Sequence, residues 1–324
     1  MEFRTEWHPS AAESPQFIEH SDGIFCIGSC FADNVASRLS EDLFNVSANP
    51  FGPMFNPVSI CRTLERLIEG NAFTADELFE HQGLWRSLDA GTLYARGSRE
   101  ETCHLLNGIL EHASQSLHEA KVLIITLGTA WVFTHRGSAR VVANCHKLPA
   151  TDFVRSRLDV GEVADAISTI AETLYAAGLF PRIVLTVSPV RHAADGLHGN
   201  NLSKSTLLLA TDEVVERYPE IHYFPSYELI MDDLRDYRFY DADMRHPSQQ
   251  AVDYVYSRFC ETCLTGAART AAAECRQLSR RLRHTINPNT PDDIAGKFRA
   301  DTDDLLSRLL VKYPYINTNN ISKS

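Results

Sequence analysis

Between residues 24 and 265, short β-rich apolar runs alternate with amphipathic helical runs. That alternation leaves few folds open, because strands joined through helices run parallel and a parallel sheet must be covered on both faces. A first strand at residues 24–27 ends at Gly28, after which Val35, Leu39 and Leu43 recur at helical spacing. Residues 45–48 read as a second extended segment. Asn56-Pro57 has the form of an N-cap followed by proline at the first helical position, with Ile60, Leu64 and Ile68 as the buried stripe. Thr74-x-x-Glu77 and Ser98-x-x-Glu101 both spell capping boxes, so each is expected to open a helix. Further strands are expected at 122–126, 183–187 and 221–224, with a β-hairpin over 131–144 and helices over 162–177, 203–217 and from His246-Pro247-Ser248 to about 264. The fold class that follows is α/β, a doubly wound, mainly parallel five-stranded sheet of the flavodoxin-like kind.

From Ala267 onward the pattern changes to two helical stretches separated by the breaker-rich Asn287-Pro288-Asn289-Thr290-Pro291. This divides the chain into an α/β domain over 1–265 and a helical C-terminal appendage over 266–324. The basic run at 276–283 reads as a solvated helix face, and residues 319–324 read as disordered.

A chain of 324 residues can bury a sizeable core. Its apolar runs are far shorter than a bilayer crossing, and residues 1–8 are polar and acidic where a secretory signal needs a basic start and an apolar stretch. A cytoplasmic protein without membrane contact is the expectation. The net charge of −11 argues against nucleic acid as a partner, since phosphate binding needs a basic surface. The eight cysteines are scattered, and Cys260-x-x-Cys263 lacks the second pair of a zinc site, so core thiols in a reducing compartment are expected. No Gly-x-Gly-x-x-Gly follows any strand, which makes a flavin or dinucleotide protein the less attractive third reading; no cofactor and no metal are expected.

Ligands of an open parallel sheet sit beyond the carboxyl ends of its strands. Five polar segments fall there: Ser29-Cys30, Asn49-Pro50-Phe51-Gly52, Gly128-Thr129, Ser188-Pro189-Val190-Arg191, and Asp243-Met244-Arg245-His246. Cys30 stands at a strand-to-helix turn, where unpaired N–H groups and the helix dipole favour a thiolate. His246 is the base such a thiol needs, and Asp243 is placed to hold its tautomer. Residues 191–201 read as a long polar loop over the same edge. Within it Arg191 and His198 are candidates to contact a substrate oxygen, and His192, Asp195 and His198 have the donor types of a metal site without a spacing that fixes its geometry. Lys204, just beyond, reads as a surface charge.

Gly28-Ser29-Cys30-Phe31-Ala32 resembles the signature of the GSCFA domain, whose members are similar to SGNH, or GDSL-type, hydrolases. Asn49-Pro50-Phe51-Gly52, Phe55-Asn56-Pro57, Thr126-Leu127-Gly128-Thr129-Ala130-Trp131, Asn144-Cys145-His146-Lys147 and Val187-Ser188-Pro189-Val190 support the likeness, which covers about residues 20–265. On the SGNH pattern, Cys30 falls at the nucleophilic serine and Ser29 at the aspartate before it; a shift of one residue would make Ser29 the nucleophile instead. The resemblance implies an oxyanion-holding N–H at Gly52 and carboxylate and base roles for Asp243 and His246. It also implies an asparagine donor after Gly128-Thr129, where this chain has Ala130. Asn56 and Asn144 are the candidate substitutes, although both also suit a cap or a turn.

The resulting expectation is an ester hydrolase or acyltransferase acting through Cys30, or else Ser29, with a His246/Asp243 pair. The resemblance implies a small-molecule or glycan ester as partner, in particular a carbohydrate O-acyl group. The alternative is a non-catalytic SGNH-like module that binds a glycan or small ligand. The oligomeric state is open.

Overall fold

The computed structural model describes residues 6, 7, 9, 10 and 14–316. The readings of residues 1–5 and 8 and of 319–324 lie outside them. The described elements run in chain order as β1 (Gly23–Gly28), α1 (Cys30–Glu41), β2 (Asn45–Ala48), α2 (Pro57–Glu69), β3 (Leu78–His81), β4 (Leu84–Ser87), α3 (Arg99–Glu119) and β5 (Val122–Leu127). They continue as β6 (Trp131–His135), β7 (Arg140–Val141), β8 (Phe153–Arg157), α4 (Val160–Ala176), β9 (Arg182–Val187), α5 (Gly196–Arg217) and β10 (Ile221–Tyr223). The short α6 (Ser226–Glu228) runs on into a π-turn at Leu229–Asp233, and α7 (Gln249–Cys263), α8 (Gly266–Arg283) and α9 (Asp292–Lys312) complete the chain.

The central sheet has the order β10-β9-β5-β1-β2 and every pairing in it is parallel. Counting only its own strands, this is the 2-1-3-4-5 order of flavodoxin-like folds, with the switch point between β1 and β5. Ile24, Cys26, Val122, Ile124 and Val184 pack on one face with α1 and α7, while Phe25, Ile27, Leu123, Ile125 and Leu185 pack on the other with α2 to α5. The period-2 alternation of the strands therefore divides one apolar run between two cores, which is why β1, β5 and β9 read as continuous hydrophobic stretches.

Two elements depart from the sequence reading. Glu77 does accept the Thr74 N–H at 2.8 Å, yet this box opens only a 3₁₀ turn at Ala75–Glu77, because Leu78 enters the antiparallel hairpin β3–β4. Ser98 behaves as expected and caps the 21-residue α3. The second departure is α5, which begins at Gly196 rather than near 203, so most of the expected polar loop is helix. The 131–144 hairpin forms as β6 and β7 and gains β8 as a third strand.

The appendage helix α8 is built into the core. Ala268 and Ala272 pack with α1 and α7, and Arg276 reaches Asp42 in the α1–β2 turn. Asp42 is fully buried; Arg276 Nε donates to its Oδ1 at 2.6 Å, Nη2 donates to Oδ2, and the Tyr256 hydroxyl donates to Oδ2 at 2.8 Å. The basic run is thus only partly a solvated face. No helix among the described residues is long and apolar enough to cross a membrane.

Candidate functional site at the carboxyl edge

The turn after β1 is held from several sides. Gly28 adopts φ +136°, and a Cβ there would lie 2.1 Å from the Thr126 carbonyl oxygen, so only glycine lets β1 and β5 approach this closely. Its N–H donates to Asn49 Oδ1 at 2.8 Å and its carbonyl accepts the Met54 N–H at 2.7 Å. Ser29 donates its N–H to Thr126 O at 3.0 Å, and its Oγ accepts the Phe31 N–H at 3.2 Å as the N-cap of α1. Ser29 is 1% exposed and occupied as a cap; Cys30, the first residue of the helix, is half-buried.

Burial and the neighbouring Asp33 push the Cys30 thiol up, while the N–H groups of Cys30 and Phe31 and the Lys204 charge pull it down. Burial prevails, so the resting group is a thiol, where the sequence suggested a thiolate favoured by the helix terminus. Asp33 is itself raised by burial and takes a hydrogen bond at 2.8 Å from Asn49 Nδ2.

His246 and Asp243 form a pair: Nδ1 meets Asp243 Oδ2 at 2.6 Å, and Asp243 Oδ1 accepts the N–H groups of His246 at 3.0 Å and Arg245 at 2.9 Å. Those donors hold the Asp243 carboxyl far below the usual carboxylate range. The pair sits on a closed turn in which Asp241 donates to His246 O and Tyr240 bridges to Pro247. Arg191, four residues past the end of β9, donates its N–H to Arg245 O at 3.2 Å, which fastens this turn to the edge that carries Cys30. Both side chains of the pair remain close to half exposed.

His192 follows Arg191 and lies close enough to Lys204 and His246 to feel their charges. Its ring packs edge-on against Phe55 with centroids 5.6 Å apart, and its Nε2 is buried with no hydrogen-bond partner among the described residues. Burial, then the charges of Lys204, His246 and Arg155, lower it to about 4, so it is a neutral imidazole.

The other sequence candidates have local duties. The Gly52 N–H donates to Asn49 O at 2.8 Å inside the turn that follows β2. Asn56 caps α2, its Oδ1 accepting the Ser59 N–H at 2.8 Å and its Nδ2 donating to Ser59 Oγ at 3.0 Å. Asn144 Oδ1 accepts the His146 N–H at 2.8 Å and its own N–H joins Leu88, on the side of the small sheets. Gly128 passes against Phe55, whose carbonyl takes the N–H groups of Gly128 and Thr129, both at 2.8 Å. Arg191 places its guanidinium 3.3 Å from the Met231 sulfur, while His198 is exposed on the first turn of α5. Asp195 is engaged by Arg155, and no cluster of three His, Cys, Asp or Glu side chains among the described residues could hold a metal ion.

Lys204 corrects the sequence reading outright: it is 1% exposed. Its Nζ donates to Gly128 O and Ser188 O, both at 2.6 Å, where β5 and β9 end. Its neighbour Ser203 accepts the Ala130 N–H at 2.8 Å and lies 3.0 Å from Thr129 Oγ1. A clue was present, because two polar residues on the core-facing side of α5 contradict an apolar stripe.

These features define a doubly wound α/β protein with a half-buried cysteine at the helix entrance beside its topological switch point. The chain belongs to the GSCFA family, whose model matches residues 23–259. No curated protein matches it.

Proposed function

We propose that this protein is an ester hydrolase or acyltransferase in which Cys30 is the nucleophile and the His246–Asp243 pair moves protons. The supporting observation is the contrast within the turn: Ser29 is sealed and spent as a cap, whereas Cys30 is accessible, with its sulfur facing the N–H groups of residues 30 and 31. The thiol proton passes through the bases of the site to the alcohol that will leave, while the sulfur attacks the ester carbonyl. The Cys30 N–H, at the first position of α1, faces the developing oxyanion. The tetrahedral intermediate expels an alkoxide, which leaves as the alcohol with a proton from His246, and a thioester remains. Water then gives hydrolysis, or an acceptor hydroxyl gives transfer. The likeness to SGNH enzymes favours a small-molecule or carbohydrate O-acyl ester as the substrate.

A binding module is the second reading, favoured by Ala130, which is fully buried at the position where the SGNH pattern has a donor, and by the engaged Gly52 N–H. Turnover of p-nitrophenyl acetate separates the two. The hydrolase reading expects an acetyl thioester on Cys30, trapped by acid quench and seen by mass spectrometry, and no turnover in Cys30→Ala. Full turnover in that variant, with no acyl group on residue 30, overturns it.

A further inference from the structure

The first strand and its neighbour set the geometry. Gly28 pairs with Thr126, and the Ser29 N–H donates to Thr126 O at 3.0 Å. Two residues beyond that pair, the two chains reach Cys30 and Gly128, and the Gly128 carbonyl is one of the two that hold Lys204 Nζ. The other, Ser188 O, belongs to the next strand of the sheet. The amine therefore bridges the carboxyl ends of β5 and β9, one strand over from the β1–β5 switch point, at the level along the sheet that Gly128 shares with Cys30, and its charge acts on the thiol.

A neutral amine has two N–H bonds and one lone pair, whereas an ammonium has three N–H bonds and none. Two carbonyls at 2.6 Å consume both donors of the neutral form and leave its lone pair unspent. The site is enclosed, and burial of an unpaired cation is costly.

We propose that Lys204 is the group that accepts the Cys30 proton, forming a cysteine–lysine pair that works beside the His246–Asp243 pair. This rests on Cys30 as the nucleophile. In the step, the S–H bond breaks and an N–H bond forms at Nζ, so thiol and amine become thiolate and ammonium with no other reactant. The ammonium proton then passes by way of His246 to the leaving alkoxide, and in the second half His246 takes a proton from the incoming water and returns it to the departing sulfur. Burial, aided by the Arg191 charge, lowers Lys204 to about 7, while Cys30 and Asp195 act in the opposite direction. The charged and titratable groups facing the pair are Asp33 on α1, Arg191 and His192 after β9, Asp195 ahead of α5 and Tyr227 on α6, whose ring centroid is 5.9 Å from Nζ.

The test uses the full chain and iodoacetamide, with alkylation of Cys30 followed peptide by peptide across pH. A coupled pair titrates in two steps that belong to both groups. The wild-type rate should climb in a first step near neutrality and again at high pH. In Lys204→Met the first step should vanish, with alkylation at pH 8 slower by about tenfold or more; in His246→Gln it should remain. A single step in the wild type, a first step surviving in Lys204→Met, or its loss in His246→Gln overturns the proposal. Should Lys204→Met fail to fold, nitrogen NMR of Lys204 Nζ in wild type and Cys30→Ala supplies the reciprocal reading. In the wild type the Nζ signal should follow both steps, and in Cys30→Ala only the first; a wild-type Nζ titration with one step overturns the pair. None of these measurements uses ester turnover. A wild type that lacks the first step but still forms the acyl thioester would remove Lys204 and leave the role of Cys30 standing.

Discussion

The side-chain oxygen of Asn49 takes the Gly28 N–H at 2.8 Å, so the residue that follows β2 governs the turn that presents Cys30. Its amide also donates to Asp33, and Asn49 itself stands in the left-handed region at φ 39°. Asn49→Ala strands a buried N–H and removes the Asp33 donor. We expect a loss of about 1–3 kcal/mol in urea unfolding, together with slower alkylation of Cys30.

Ser29 and Cys30 separate cleanly by readout. Ser29→Ala removes an N-cap and should cost about 1 kcal/mol of stability, with the acyl label still found on Cys30. Cys30→Ala should unfold near the wild-type midpoint and take no label. A label on Ser29 in wild-type protein would transfer the nucleophile's role.

Asp243→Asn keeps the shape of the closed turn but removes the carboxylate that orients His246. Turnover of the ester should fall by about 10²–10⁴-fold, with the melting temperature unchanged because the pair is exposed. Steady-state kinetics beside a thermal melt provides the check.

His192 makes a pH prediction whose sign follows from its lowered value. The unfolded imidazole titrates at 6.5 and the folded one at about 4, so the unfolded state binds more protons between those values. The stabilising contribution is complete above 6.5, declines as the pH falls towards about 4, and is lost below it. His20, His146 and His222 are also lowered by burial and add to the same trend. Urea midpoints measured at pH 7 and pH 5 should therefore differ less in His192→Gln than in the wild type.

Arg276→Met leaves the carboxylate of Asp42 buried with only the Tyr256 hydroxyl and the charge of no guanidinium. Loss of about 3 kcal/mol is expected by chemical denaturation. Deleting residues 266–316 should be at least as damaging, since it also uncovers the apolar surface under Ala268 and Ala272.

The sheet was legible because its strands are short apolar runs punctuated by glycine and proline, and the caps at Asn56 and Ser98 were legible because their partners lie three residues away. The Thr74 box misled because a local hydrogen bond cannot outweigh the strand pairing of Leu78–His81. Cys30 and the Asp243–His246 pair could be selected by residue type and position along the chain. Lys204 was signalled only by its place on the core-facing side of α5, and its role was not, because its carbonyl partners lie 76 and 16 residues away. Gly52 carried an implied role, yet its N–H serves the turn, a use visible only once Asn49 is seen to curl back.

The clearance at Gly28 bears on how the five-residue signature should be interpreted in any other chain. Position 28 is decided by the space left beside the Thr126 carbonyl, position 29 by the cap, and positions 31 and 32 by burial at 1% and 0%. Only the middle letter is free to face a ligand. A sequence could thus trade that cysteine for alanine, lose the proposed nucleophile and still spell the other four letters, so the motif vouches for architecture and cannot by itself certify a catalyst.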